Sequence, residues 1–406
     1  MPAPDSVTGT YIAMNKIISI EPAIDPNARP TFLLDWELTM KCNLDCSYCP
    51  TPEQTDLSHA YHDNSANHPS LDECLKTIDF MYRYVDLYMS TKPRWTRAVV
   101  LNMYGGESLL HPHIVEILKE VKKRYLPYQD KWPLTVTCST NGVIGRQRMT
   151  EIVELIDEFT VSFHVEALKK QKELVKQNLL LIKEKNKRLK CVVLMHGDQE
   201  HWPEILDHIE FCKDNDIKYL PRKLDGKISN HYNQQQITWF KNLWQEKTQQ
   251  KSRTRQNSII APSQHSKEGT NQTEVVEVIG RACCGGRLMS MDEDLKHSVF
   301  YIPNNVFTGW YCSVNWFFLY IKQHTKEVFT NKDCRMNFDG TVSPLGSLDN
   351  TDSIINFTKK MMDDKSMPAI VCAKDHCWCG LCAPKAEKKE DFMRIMDRHI
   401  TEKVLV

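Results

Sequence analysis

From residue 31 to about residue 226, short apolar runs alternate with stretches whose apolar side chains return every third or fourth position. Residues 32–40 form the first run and read as a strand. Ser70-Leu71-Asp72-Glu73 is a capping-box pattern, in which the serine and the glutamate satisfy each other's free backbone donors. It opens a predicted helix to about Tyr88, with Leu75, Ile78, Met81, Tyr82 and Val85 on one face. Residues 98–104 are the second strand, followed by a helix striped by Ile114, Ile117, Leu118, Val121 and Tyr125. Strand 134–139 precedes a helix carrying Met149, Ile152, Val153 and Ile156. Strand 159–165 leads into a Lys-rich helix ending near Asn186, and strand 191–195 into helix 202–212. A sixth strand, 217–220, is expected to stop at Pro221. Apolar strands separated by amphipathic helices predict parallel β–α–β units with both sheet faces covered. Six units in sequence favour an α/β fold of the incomplete (β/α)6 barrel type over a flat doubly wound sheet, although periodicity alone does not separate the two.

Outside this region the pattern changes. Residues 1–30 contain Pro22, Pro26 and Pro30 and read as a lead-in with a short strand within 11–20. Residues 50–69, with His59, His62 and His68, read as an exposed loop. Past Gly226, Asn233 is a candidate N-cap for a helix over 233–244, and 248–273 is a polar linker. Residues 276–385 combine short strands, aromatics and cysteines and form a small second domain of α+β type, followed by a charged terminal helix from 386. The organisation expected is thus 1–30, 31–226, 227–275, 276–385 and 386–406.

Charge narrows the partners. Lys+Arg and Asp+Glu are both 52, so no net field drives nonspecific nucleic-acid binding. No apolar run approaches bilayer length and no signal-peptide pattern opens the chain, so a cytoplasmic protein without membrane contact is expected. Fifteen cysteines then point to metal or to chemistry rather than to disulfides. Cys74, Cys138, Cys191 and Cys212 fall in apolar periodic segments and read as small buried hydrophobes. The others cluster at 42–49 and 283–382.

Cys42, Cys46 and Cys49 stand at spacing C-x3-C-x2-C directly after the first strand, with Tyr48 before the third. Three thiolates on one loop can hold three corners of a [4Fe–4S] cube, leaving one iron open to a small molecule. The competing reading is zinc, which favours paired C-x2-C units and four protein ligands; no fourth Cys or His is spaced as a partner here. Gly105-Gly106-Glu107 ends the second strand, Ser139-Thr140-Asn141-Gly142 the third, and Ser162 lies on the fourth.

This set of motifs resembles the radical S-adenosylmethionine (radical SAM) superfamily. The resemblance implies that Cys42, Cys46 and Cys49 bind the SAM-chelating cluster and that Gly105, Gly106 and Glu107 take the methionine amino group. It also implies that Tyr48, Ser139, Asn141 and Ser162 lie against the cofactor, and that the backbone of residues 193–195 lies against its adenine. It implies reductive cleavage of SAM to a 5′-deoxyadenosyl radical that abstracts hydrogen from a substrate, with an external flavodoxin- or ferredoxin-type donor. Cys312, a hairpin over 316–329, Cys334 and Cys379-x2-Cys382 resemble the twitch or SPASM auxiliary-cluster domains, implying an auxiliary [4Fe–4S] cluster on Cys312, Cys334, Cys379 and Cys382. Cys372 and Cys377, with Cys283 or Cys284, are candidates for another. The match departs at the missing glycine before Cys334 and in the terminal spacing, and a zinc knuckle of His376, Cys377, Cys379 and Cys382 competes with it. The expected activity is an oxidoreductase or maturase acting on a small molecule or peptide. The alternatives are a non-catalytic metal-stabilised binding protein and a radical SAM methyltransferase. Tyr104, His164, His196 and Arg222 flank the strand ends and read first as packing or surface residues.

Overall fold

The computed structural model describes residues 31–49, 63–91, 98–224, 232–240, 318–329 and 345–363, together with a few one- and two-residue pieces elsewhere. Six parallel strands follow the chain in order: β1 (Thr31–Thr39), β2 (Ala98–Gly105), β3 (Leu134–Thr140), β4 (Glu158–Phe163), β5 (Arg188–Met195) and β6 (Tyr219–Lys223). Between them run α1 (Leu71–Thr91), α2 (Ile114–Tyr125), α3 (Arg146–Leu155), α4 (Lys169–Glu184) and α5 (Trp202–Asp214). Each of the six hydrogen-bonds to the next in sequence, so their order never reverses and this series has no switch point. Right-handed crossovers that never reverse place the helices on a single face. That is the winding of an incomplete barrel, and it answers the choice that periodicity left open.

The local signals act as expected. The Ser70 N–H donates to Glu73 Oε2 at 2.9 Å, and the Glu73 N–H to Ser70 Oγ at 3.3 Å, closing the capping box of α1. Asn233 and Gln236 exchange the equivalent pair at 2.8 and 2.9 Å, opening the helix at 234–240. Pro221, expected to stop a strand, lies inside β6 opposite Val193. β6 ends the parallel series, and an edge strand accepts a proline whose nitrogen faces away from the ladder. Ala386, read as the start of a terminal helix, is instead a strand residue paired with Ser19 and Tyr311.

The two sheet faces differ. Val99, Leu101, Met103, Val136, Cys138, Phe159, Val161 and Phe163 are buried beneath the helices. The alternate positions Asp35, Asn102, Thr137, Thr160 and Ser162 are only partly buried. Asn102 donates to Asp35 Oδ1 at 2.7 Å and Thr137 to Asn102 Oδ1 at 3.1 Å, forming a polar row across three strands. The expectation that helices cover both faces is therefore corrected among the described residues: the concave face is polar and half open.

The expected hairpin forms as β7 (Phe318–Lys322) and β8 (Glu327–Phe329), with β9 (Gly346–Ser347) and α6 (Thr351–Asp363) behind it. β7 pairs in parallel with β1 over five residues, so the hairpin extends the core sheet. Buried Glu37 fastens it. Tyr320 donates its hydroxyl to Glu37 Oε2 at 2.5 Å, and His324 Nδ1 lies 3.0 Å from Oε1. Burial pushes the Glu37 carboxyl up, but His324 and Tyr320 outweigh it and hold the carboxyl below its ordinary value. Gln323 at the turn accepts from Trp36 Nε1 at 3.0 Å and from Thr77 Oγ1 at 2.8 Å.

A depressed carboxyl stabilises the fold above its unfolded value and ceases to do so as pH falls through its folded value. Glu37→Gln should therefore cost about 2 kcal/mol at pH 7, where a charge-assisted hydrogen bond is weakened. The cost should shrink below about pH 4, as read from urea unfolding of the cluster-free protein at each pH.

Candidate iron–sulfur and cofactor site

β1 delivers the cysteine loop across a register shift between Glu37 and Thr39. The loop then packs on the end of β2 by backbone. The Gly106 N–H donates to Thr39 O at 2.8 Å and the Glu107 N–H to Lys41 O at 2.7 Å. A Cβ on Gly105 (φ +144°) would sit 2.1 Å from Thr39 O, and one on Gly106 would sit 2.4 Å from Met40 O. Only glycine permits this approach. The two glycines therefore meet the strand that carries the cysteines, and the space beside them is filled by protein backbone.

Cys46 is buried, and Cys42 and Cys49 are half-buried. Two of the thiols have neighbours that orient them. Cys42 Sγ accepts from the Leu44 N–H at 3.4 Å and from Asn141 Nδ2 at 3.6 Å. Asn141 also donates to Asn43 Oδ1 at 2.8 Å, and Asn43 to Val143 O at 2.7 Å, so the loops after β1 and β3 are tied together. His164 Nδ1 lies 3.3 Å from Cys46 Sγ and 3.0 Å from the Tyr48 hydroxyl, with the Tyr48 and His164 rings stacked. Burial brings the His164 pKa down to about 4, so it is neutral at pH 7. Ser47 donates its N–H to Glu166 Oε2 at 2.7 Å and its hydroxyl to Oε1.

Burial, together with the charge of neighbouring groups that include Cys42, pushes Cys46 and Cys49 up to about 12. Burial also raises Cys42. Thiols that hinder one another's ionisation in this way suit a shared cation. The three-donor groups within 4.8 Å among the described residues are Cys191, His208 and Cys212, and Glu166, His196 and His201. The three loop thiols are not such a group, so their Sγ atoms do not all lie within 4.8 Å of one another.

Glu107 is buried, and both its oxygens are in use. Thr140 Oγ1 lies 2.9 Å from each, the Asn141 N–H donates to Oε2 at 2.6 Å, and the Leu109 N–H donates to Oε1 at 3.1 Å. Burial raises its pKa to about 7 against these lowering bonds. Thr140, which sequence reasoning passed over in favour of Ser139 and Asn141, is the residue whose side chain holds the carboxylate. Ser139 and Ser162 lie on the partly open concave face, Ser139 being opposite Thr160 in register. Tyr104 stacks on Tyr320, and Arg222 pairs with Leu194 by backbone.

Glu166 and the position of His164 carried no sequence signal beyond their place after the fourth strand. His196, read as packing, lies 3.3 Å from Glu166. Its Nδ1 accepts from the Asp198 N–H at 3.0 Å, which places the ring proton on Nε2, facing the carboxylate. Glu166 thus braces Ser47, with His196 behind it. Of the auxiliary-cluster candidates, Cys312 is described only as backbone, in a short strand opposite Ile370 and Lys385. Cys334, Cys379 and Cys382, like Cys283, Cys284, Cys372, Cys377 and His376, lie outside the described residues.

The family model for the Radical SAM superfamily matches residues 36–220, the stretch that runs from β1 to β6. The class that this model describes works with a [4Fe–4S] cluster and S-adenosylmethionine. No curated protein matches the chain. Among solved structures it is similar to native anSMEcpe with bound AdoMet and Cp18Cys peptide, at 14% identity and TM-score 0.46, over 91% of this chain and 96% of that one. A polyhistidine-tagged anSMEcpe with bound AdoMet is similar over 54% of this chain and 61% of that one, at 16% identity and TM-score 0.39. Streptococcus suis SuiB bound to S-adenosylmethionine is similar at 12% identity and TM-score 0.45, over 86% of this chain and 73% of that one. No helix among the described residues is long and apolar enough to cross a membrane.

A carboxyl raised on folding stabilises the protein while protonated and loses that contribution as pH climbs from its unfolded to its folded value. Wild type should therefore lose stability between about pH 4.5 and 7 relative to Glu107→Gln, so that the gap between them moves in the variant's favour as pH rises. Thermal unfolding of the cluster-free proteins across that range checks the sign.

Proposed function

We propose that Cys42, Cys46 and Cys49 hold a [4Fe–4S] cluster and that S-adenosylmethionine occupies its remaining iron. The observation that carries this reading is the set of three thiols on one loop, each raised by burial and by neighbouring negative charge, at the head of the stretch that the Radical SAM model matches. When bound, the cluster supplies the electron for reductive cleavage of SAM. The chain's own residues position and exclude. Asn141 and the Leu44 N–H orient Cys42, Tyr48 and His164 orient Cys46, and Glu166 holds the turn through Ser47.

Glu107, beside Gly105 and Gly106, takes the methionine ammonium group in exchange for one of its present donors. A cation there would offset the desolvation that now keeps the carboxyl near neutrality. Ser139, Asn141 and Ser162 complete the cofactor-facing set, and the polar row of Asp35, Asn102 and Thr137 provides hydrogen-bonding groups for a substrate on the concave face. Active sites of barrels open at the C-terminal strand ends, where Glu107, Ser139 and Asn141 lie.

The reaction class is hydrogen abstraction from a small molecule or peptide by an oxidoreductase or maturase, fed by a flavodoxin- or ferredoxin-type donor. Cys312, Cys334, Cys379 and Cys382 are proposed to hold an auxiliary [4Fe–4S] cluster.

Anaerobic reconstitution with iron, sulfide, dithionite and SAM is expected to yield 5′-deoxyadenosine and methionine. The Cys42/Cys46/Cys49→Ala triple variant is expected to fall to background while retaining its secondary structure. Equal product from that variant would sink the assignment.

A further inference from the structure

On the helix-covered face of the sheet, Cys191 of β5 meets His208 and Cys212 of α5, and all three are fully buried. Cys191 Sγ lies 3.4 Å from His208 Nε2, and the three donor atoms fall within 4.8 Å of one another. His208 and Cys212 are four residues apart, so one helix face presents both to the strand. The His208 ring is stacked between Phe163, at 3.6 Å, and Phe211, at 5.7 Å. Reading the two cysteines as small hydrophobes leaves the histidine without a reason. It is an imidazole buried among aromatic rings, with its Nε2 turned to the Cys191 thiol.

We infer that Cys191, His208 and Cys212 form a separate structural metal site for a divalent d10 cation, Zn2+ being the natural occupant. Zinc–sulfur and zinc–nitrogen bonds of about 2.3 and 2.0 Å in tetrahedral geometry place such donors about 3.5 Å apart. The observed 3.4 Å already has that spacing. Thiolate and imidazole donors suit this class of cation. Two thiolates also cancel a dication, so the loaded site is neutral and compatible with an apolar core. Binding displaces the two thiol protons. Among the described residues no fourth donor stands within the group, which leaves that position to a water. The ligands come from β5 and α5, so the ion clamps the last helix of the domain to its strand. The site is independent of the Cys42–Cys49 loop.

The test uses the full-length protein, reconstituted with iron and sulfide, equilibrated with Zn2+ and freed of excess. Cys191→Ser, Cys212→Ser and His208→Phe are prepared in parallel; the last keeps a ring between Phe163 and Phe211. Each variant should lose about one zinc per chain relative to wild type with iron content unchanged. Zn2+ should also raise the thermal unfolding midpoint of the wild type and leave that of His208→Phe unchanged. Zinc content equal in wild type and folded His208→Phe, a wild-type midpoint indifferent to Zn2+, or a Cys191–Cys212 disulfide in the anaerobic protein would each overturn the inference.

Discussion

The structure depends on a backbone-to-backbone contact. Two hydrogen bonds, from Gly106 and Glu107 to Thr39 and Lys41, set the cysteine loop against the end of the neighbouring strand. Neither glycine could carry a Cβ without driving it into a carbonyl. Because the contact is made by main chain, it fixes where the loop emerges without drawing on any side chain that the site needs. Glu107 then reaches on to Thr140 and Asn141, and Asn141 reaches back to Cys42. The ends of β1, β2 and β3 therefore move as one unit, and the thiols inherit their placement from it.

The helix-covered face is apolar and carries the core, apart from the buried Cys191–His208–Cys212 group. The concave face is polar, with Asp35, Asn102 and Thr137 hydrogen-bonded in a row and Glu37 binding the hairpin to β1. The division follows from the strand period of two, which sends successive residues to opposite faces. A partial barrel thus combines a water-excluding shell with a wettable interior in the same six strands.

Much of this was legible in the sequence. The helices and strands between residues 31 and 226 follow apolar periodicity closely, and the capping box at Ser70–Glu73 forms as written. The C-x3-C-x2-C spacing located the loop, because local spacing survives any tertiary arrangement. What sequence reasoning missed depended on contacts between distant residues. Thr140 rather than Ser139 holds Glu107, since residue parity on β3 decides which hydroxyl points at the carboxylate. Glu166 braces Ser47 across 119 positions, and no local pattern marks such a pair. Polar residues within strands that read as apolar signalled the half-open face, but they were averaged into the hydrophobic runs. The hairpin at 318–329 was found from its pattern, whereas its parallel seat on β1 was not, because strand partnership is not encoded in periodicity.

A barrel left incomplete has free rims, and a free rim is a template on which another chain can grow a strand. Pro221 lies in β6, at the rim where the parallel series ends. A proline brings no backbone donor, so a strand arriving from outside meets a gap in the ladder at that residue. An open barrel can thus keep a wide mouth for its chemistry while its rim resists sticking to its own kind.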